Sequence, residues 1–184
     1  MDGTLTLATQ DFPALKRELG LPLELGVLEA VERLEPDRRE RVLQRVAAWE
    51  REHAERATLA PDAERLLERL ASEGARLGVL TRNLRELALL TLERCGVLAH
   101  FALDDVLGRE ECAPKPDPDG VLRLLTRWSA QPADACMVGD HLHDLQAGRA
   151  AGVRAVYVDR EGSEAFSAHA DQSVRSLDEL LRAL

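Results

Sequence analysis

The chain has 184 residues, 45% hydrophobic and 31% charged, which suits one α/β domain with a small appendage and excludes two large domains. Its net charge of −9 is spread along the chain and disfavours a nucleic-acid partner. The sequence shows no run of roughly 20 apolar residues and no recognisable secretory leader, so we expect a cytoplasmic protein without membrane partners.

The first third of the chain is predicted to be helical. Residues 1–6 are too few to form an element, and helical spacing of apolar residues then extends to about residue 56. Pro13 suits the first turn of a short helix and Gly20 suits its end. Two later prolines precede a second and a third helix. Because residues 9–56 contain no strand signal, we interpret them as a small all-helical insert.

After Pro61 the pattern alternates between helices and short apolar strands. Such alternation predicts an α/β fold, in which a parallel sheet is covered by helices on both faces. The predicted strands are 77–80, 101–107, 135–138 and 155–158. One predicted helix ends near Gly74, and four others span 84–95, 120–128, 141–151 and 176–184.

The cysteines exclude two kinds of site. Cys95, Cys112 and Cys136 are odd in number and far apart, which matches neither a disulfide framework nor a zinc motif. We therefore expect three reduced thiols that are mostly buried.

Polar residues follow several of the predicted strands. In parallel α/β sheets the ligand binds outside the carboxyl ends of the strands, so these residues are candidates for chemistry. They are Thr81, Arg82 and Asn83, the loop around Lys115, and Asp140 with Asp144.

Asp140 and Asp144 are four residues apart where a strand turns into a helix. At that spacing both carboxylates can face one point and offer the hard oxygen ligands that Mg²⁺ prefers. Alternatively, Asp140 only caps the helix and Asp144 is a solvated surface residue. His141 and His143 also allow a transition-metal site, but residues two apart do not share a helical face.

Lys115 is one of only two lysines in a chain with many arginines. Prolines on both sides stiffen its backbone and fix the direction of the ammonium, as suits a cation that holds a phosphate. The alternative is an ordinary loop lysine. Thr81 offers a hydroxyl at the end of a strand, just before a helix N-terminus, where anions are favoured. The alternative is that Thr81 only begins that helix.

Four motifs together resemble the haloacid dehalogenase superfamily, in its phosphoglycolate-phosphatase-like branch. They are Asp2-Gly-Thr-Leu-Thr, Thr81 after a strand, Lys115-Pro-Asp-Pro-Asp, and Gly139-Asp140 with Asp144. The resemblance covers essentially the whole chain and implies a three-layer Rossmann-like core at residues 1–8 and 57–184. Residues 9–56 match that branch's mobile cap in reduced form.

The resemblance implies a Mg²⁺-dependent phosphatase for a small phosphorylated metabolite. Asp2 matches the general acid/base, whose backbone carbonyl also binds the metal, and Asp140 and Asp144 match the other magnesium ligands. Thr81 and Lys115 match the residues that hold the phosphoryl group, and we add Arg82 and Asn83 as neighbouring substrate-binding candidates. Such an array fits phosphoryl transfer, in which cations and donors surround the moving group.

The chain departs from the family at the first motif, which reads Asp-x-Asp-Gly-Thr after a central apolar strand. Met1 occupies the x position, so the nucleophilic aspartate and its strand are absent from the sequence as written. We expect a truncated reading frame, and a chain that is inactive and poorly stable because neighbouring strands lack a partner. An upstream strand ending in Asp should restore both properties.

Other functions stay open. One is a non-catalytic relative that binds Mg²⁺ or a phosphorylated ligand, and another is phosphoryl transfer like that of phosphoglucomutases. A dehalogenase is disfavoured because those relatives lack an acid at the position of Asp2. Arg17, Arg45 and His53 could face the site, but the insert shows no substrate code, and the oligomeric state cannot be inferred.

Overall fold

The computed structural model describes residues 1–183. Residues 1–6 form a tight turn in which Met1 O accepts the amide of Leu5, and Thr6 makes an isolated bridge to Leu59. The helices are α1 (Phe12–Leu19), α2 (Val27–Glu32), α3 (Pro36–Glu55), α4 (Ala63–Ser72), α5 (Arg85–Arg94), α6 (Asp119–Trp128), α7 (Leu142–Ala150) and α8 (Leu177–Ala183). The strands are β1 (Val79–Leu80), β2 (Val106–Leu107), β3 (Cys136–Gly139), β4 (Arg154–Val158) and β5 (Gln172–Val174).

Helices α1 to α3 pack around a hydrophobic cluster of their own. Asp11 caps α1 by accepting the amide of Ala14 at 2.8 Å, and Gly20 ends it in the left-handed conformation at φ 63°. The cluster consists of buried side chains from these helices and the loop between α1 and α2, namely Leu15, Leu21, Ala30, Val31, Val42, Val46 and Trp49. An all-helical insert explains this arrangement, and its status as a separate domain stays a prediction.

The strands form parallel sheets, which confirms the predicted α/β class. β1 pairs with β2 in one sheet, and β3, β4 and β5 form a second sheet in that order. One hydrophobic cluster joins Leu80 of β1 to residues of α6 and α7, and another joins β4 to α4 and α8. Helices therefore cover both faces, as the alternating pattern predicts.

The prediction that β3 is a buried strand is wrong. Cys136 is exposed, and Met137 and Val138 are only partly buried. Among the described residues β3 pairs only with β4, and its other edge has no strand beside it. The expectation of mostly buried cysteines consequently fails at Cys136, whereas Cys112 is buried.

Two strands differ in extent from the prediction. The segment predicted as a weaker strand over residues 101–107 contains a 3₁₀ turn at Leu103–Asp105, and only Val106–Leu107 pair with β1. β5 is not anticipated, because Gln172-Ser173-Val174 contains one apolar residue and gains its strand geometry from pairing with β4. Within residues 1–183 no helix combines the length and the apolar character that a bilayer crossing requires.

A buried ion pair connects α4, α8 and the loop after β4. Asp62, which is 6% exposed, accepts from both terminal nitrogens of Arg160 at 2.9 and 3.1 Å and from the amide of Leu177 at 2.6 Å. Arg160 also donates to the carbonyl of Thr4 at 3.1 Å, so this pair supports the N-terminal turn. Burial alone would raise the pKa of Asp62, but the hydrogen bonds and charge of Arg160 hold it below its usual value of 3.8.

We predict that Asp62→Asn lowers the free energy of unfolding by about 2 kcal/mol at pH 7. Because the folded-state pKa of Asp62 is depressed, its contribution is complete above the unfolded value of 3.8 and is lost as the pH falls below it. Urea unfolding at pH 7 and pH 3 measures this difference. Asp178→Asn is the matched control, because Asp178 pairs with Arg65 across the same two helices at a more exposed site. Equal losses in the two variants would contradict the prediction.

Candidate active site

Lys115 joins the end of β1 to the start of α7. Its ammonium donates to the carbonyl of Leu80 at 2.6 Å and lies 2.6 Å from a carboxylate oxygen of Asp144. The side chains of Lys115 and Asp144 are only 6% and 7% exposed. Thr81 is the next residue after Leu80, so the structure brings the candidate hydroxyl, cation and carboxylate to one end of the parallel strands.

Asp144 is a buried anion held by several donors, and not a solvated surface residue. Burial alone would raise its pKa, but the charge of Lys115 and the amide of His141 hold that pKa below the usual value. Its side chain packs against Gly139, where a Cβ atom would lie 2.3 Å from that of Asp144. His141, and not Asp140, caps α7. Both parts of the structural alternative for these two aspartates are therefore wrong.

Asp140 lies against the N-terminal turn. Its carboxylate accepts from the hydroxyl of Thr4 at 2.8 Å. Gly3 has φ 77°, and a Cβ atom there would lie 2.1 Å from Asp140 Oδ2, so only glycine fits this contact. Burial raises the pKa of Asp140, the positive charge of the Met1 N-terminus opposes this rise, and the negative charge of Asp144 adds to it. The first and last motifs are thus in direct contact.

Asp2 contacts the loop that follows β1. Its carboxylate accepts from Asn83 Nδ2 at 2.9 Å and from the hydroxyl of Thr6 at 3.3 Å. The backbone amide of Asn83 in turn donates to Thr81 Oγ1 at 3.2 Å. This chain of hydrogen bonds places the candidate acid/base beside the candidate phosphoryl-holding hydroxyl.

Arg82 is held by three separate segments. Its Nη1 donates to the carbonyl of Lys115 at 3.0 Å and contacts His143 Nδ1 at 2.6 Å, while Nη2 pairs with Glu29 of α2 at 2.5 Å. Burial, followed by the charge of Arg82 and the neighbouring His141, lowers the pKa of His143 to about 4. His143 is consequently neutral at physiological pH, and its Nδ1 accepts a hydrogen bond from Arg82.

A second ion pair joins the helical segment to the core. Glu50 of α3, which is 8% exposed, accepts two hydrogen bonds from Arg109 Nη1 at 2.7 and 2.8 Å, and burial raises the pKa of Glu50. Arg109 also donates to the carbonyl of Arg82 at 3.1 Å. Sequence reasoning misses Glu50, although a charged residue four positions after Val46, on the apolar stripe of α3, is a readable signal.

A small cavity separates Asp2 from α3. Its volume is about 10 Å³, roughly enough for one water molecule, and its polar lining includes Asn83, Glu50 and His53. Of the three insert residues that could face the site, His53 does so. Arg45 instead pairs with Glu18 on the surface of the helical segment.

No three His, Cys, Asp or Glu side chains in residues 1–183 form a group that could hold a metal. Both predicted carboxylate ligands have protein partners: Asp140 has Thr4 and Asp144 has Lys115. Asp2, which is predicted to bind the metal through its backbone carbonyl, accepts from Asn83 with its side chain. The donor atoms are nevertheless of the right kind, because Asp140 and Asp144 are neighbouring carboxylates whose like charges a divalent cation would offset. The magnesium site stays a prediction.

The chain resembles known proteins over most of its length. A family model described as haloacid dehalogenase-like hydrolase matches residues 13–158. The chain is 30% identical over 174 residues to a haloacid dehalogenase-like hydrolase domain-containing protein of Arabidopsis thaliana, covering 88% of this chain and 69% of that protein. It is 34% identical over 136 residues to the pyrophosphatase PpaX of Bacillus velezensis, covering 70% of this chain and 61% of that one.

The fold has close structural counterparts. A hydrolase from Pseudomonas syringae superposes with a TM-score of 0.81 at 22% identity, over 100% of this chain and 94% of that one. This likeness shows the fold, and the family model and the sequence relatives show the family. The chain belongs to the haloacid dehalogenase-like hydrolases.

Proposed function

We propose that this protein is a magnesium-dependent phosphatase that hydrolyses a small organic phosphomonoester through an aspartyl-phosphate. The observation that carries the proposal is the position of Lys115, which links the end of β1 beside Thr81 to Asp144 through two 2.6 Å contacts. A fixed cation between a hydroxyl and a carboxylate pair suits a phosphoryl group whose charge develops over three oxygens.

Thr81 and Lys115 bind the phosphoryl group, and Asp2 is the general acid and base. Thr81 donates its hydroxyl to the phosphoryl oxygens, and the backbone amide of Arg82 adds a further donor. The backbone amide of Asn83 donates to Thr81 Oγ1 at 3.2 Å and so orients that hydroxyl. Lys115 offsets negative charge. Asp2 protonates the leaving alcohol and later takes a proton from water, and its hydrogen bond to Asn83 fixes its direction.

Asp140 and Asp144, together with the backbone carbonyl of Asp2, would hold the magnesium ion. The bound ion supplies positive charge that stabilises the transferring phosphoryl group. The like charge of Asp144 raises the pKa of Asp140, and a divalent cation relieves that repulsion. Asp144 gives one oxygen to Lys115, so the lysine also orients this ligand.

The phosphoryl acceptor belongs, in this proposal, on a strand between β1 and β3. Among the described residues each of these strands pairs on one side only, and Lys115 links the C-terminal end of β1 to Asp144 in the first turn of α7, the helix that follows β3. The partial exposure of Met137 and Val138 on β3 fits the same arrangement. In the family motif the acceptor aspartate directly precedes the residue that is Met1 here.

Phosphate release from a panel of phosphoesters, with the upstream strand added, tests the proposal. The panel contains phosphoglycolate and pyrophosphate, because one relative is named a pyrophosphatase. Measurable turnover of a phosphomonoester supports the proposal. Binding of phosphoesters without any turnover by the completed protein favours instead a non-catalytic domain, and retained sugar phosphate favours a mutase-like transfer.

We predict that metal removal abolishes this turnover. Stripping the completed protein with EDTA should lower the rate at least about 100-fold, because the carboxylates at the site then repel the anionic substrate. Added Mg²⁺ should restore the rate, whereas Ca²⁺ should restore little because it prefers more ligands and looser geometry. A rate that EDTA leaves unchanged would contradict the metal assignment.

A further inference from the structure

Arg82 lies at the boundary between the helical segment and the candidate phosphoryl site. It directly follows Thr81, and its guanidinium is fixed by the carbonyl of Lys115 and by His143. Only 20% of its side chain is exposed. The guanidinium is therefore a fixed, partly buried cation. It lies next to the candidate phosphoryl site, on the side of the helical segment, where the leaving group of a substrate would bind.

Glu29 supplies the negative charge that pairs with the Arg82 cation. The carbonyl of Lys115 has no charge, and the imidazole of His143 is not an anion in either of its protonation states. Of the contacts that the structure gives to the Arg82 guanidinium, the carboxylate of Glu29 is the anionic one. Displacing Glu29 would leave Arg82 with an uncompensated positive charge.

Glu29 is held loosely enough to be displaced. It lies in the first turn of the six-residue helix α2, and 39% of its side chain is exposed. One carboxylate oxygen pairs with Arg82, while the other is buried and has no hydrogen-bond partner within the described part of the chain. A buried oxygen without a donor weakens this contact relative to a fully satisfied one.

We propose that Glu29 occupies the place of a second anionic group of the substrate and thereby sets the preference among phosphoesters. This inference rests on the proposed function. A carboxylate or phosphate carried by the leaving group would exchange with Glu29 on Arg82, whereas an uncharged leaving group would leave the Glu29–Arg82 pair intact. The substrate class is then a phosphoester with a second anion, which pairs with Nη2 of Arg82 in place of Glu29.

Two ligands that differ in that anion test the inference on the 184-residue chain. Phosphoglycolate carries a carboxylate, and 2-hydroxyethyl phosphate has a hydroxymethyl group in its place. Calorimetry with magnesium gives a Kd for each ligand. Glu29→Gln removes the competing charge, so the preference for phosphoglycolate over 2-hydroxyethyl phosphate should rise about fivefold. Glu29→Ala should shift the preference in the same direction.

Glu86→Gln is the matched control. Glu86 of α5 pairs with Arg51 of α3 at 2.7 Å, so this variant also removes an ion pair between the helical segment and the core, but one in which Arg82 takes no part. It should leave the ligand preference unchanged. An equal rise in this control, or no rise in Glu29→Gln while both ligands bind, overturns the inference and leaves the proposed function intact. Binding of neither ligand overturns both.

Discussion

An apolar strand ending in aspartate, fused directly ahead of Met1, should raise phosphate release from phosphoglycolate by about 10³-fold or more. The fusion gives the order Asp-Met-Asp-Gly-Thr and places a carboxylate nucleophile two residues before Asp2. The gain is large because nucleophilic catalysis replaces one difficult step by two easier ones, and the loss of a nucleophile typically costs several orders of magnitude. Release of inorganic phosphate by both proteins, with magnesium, measures the effect.

The added strand should also raise the melting temperature. β1 and β3 each pair on one side only among the described residues, and a strand between them would satisfy backbone groups on both. The control replaces the new aspartate by asparagine, which should keep the added stability and lose the activity. Ordinary turnover by the 184-residue chain, or by the asparagine control, would show that the roles are assigned wrongly.

Lys115→Met should lower the free energy of unfolding by about 3–5 kcal/mol. The change leaves the carboxylate of Asp144, which is 7% exposed, without its cation, and leaves the carbonyl of Leu80 without its donor. In the double variant with Asp144→Asn the buried charge is gone, so the combined loss should be smaller than the sum of the single losses. Urea unfolding of the four proteins closes this cycle.

The exposed pair of Arg123 and Asp119 provides the control for that cycle. It joins positions i and i+4 of α6, with side chains 56% and 33% exposed, and Arg123→Met should cost less than about 1 kcal/mol. If Lys115→Met and Arg123→Met lower the free energy of unfolding equally, Lys115 does not link the end of β1 to Asp144 in solution.

The sequence predicts the location of the candidate site well because its residues follow strands. Thr81 and Asp140 directly follow short apolar runs, and parallel strands bring such positions to one edge. Lys115 is recognisable from the prolines on both sides of it. The burial of Asp144 could not be predicted, since it depends on Lys115, which is 29 residues away in sequence, and on the close approach that Gly139 permits.

The contacts between the helical segment and the core could not be predicted. Glu29 and Arg82 are 53 residues apart, and Glu50 and Arg109 are 59 apart, so no local pattern joins them. Glu29 resembles a solvated residue on a charged helix, and the apolar stripe that contains Glu50 signals its burial but not its partner. The exposed β3 edge is missed for a related reason, because Ala-Cys-Met-Val resembles a buried strand whether or not a neighbour covers it.

The most direct test of the central claim is a crystal structure of the protein with Mg²⁺ and tungstate, an analogue of phosphate. We predict that the anion binds within hydrogen-bond distance of both the Thr81 hydroxyl and the Lys115 ammonium, with the metal on Asp140. Tungstate bound elsewhere, with Thr81 and Lys115 free of it, would contradict the claim that these strand ends form one phosphoryl site.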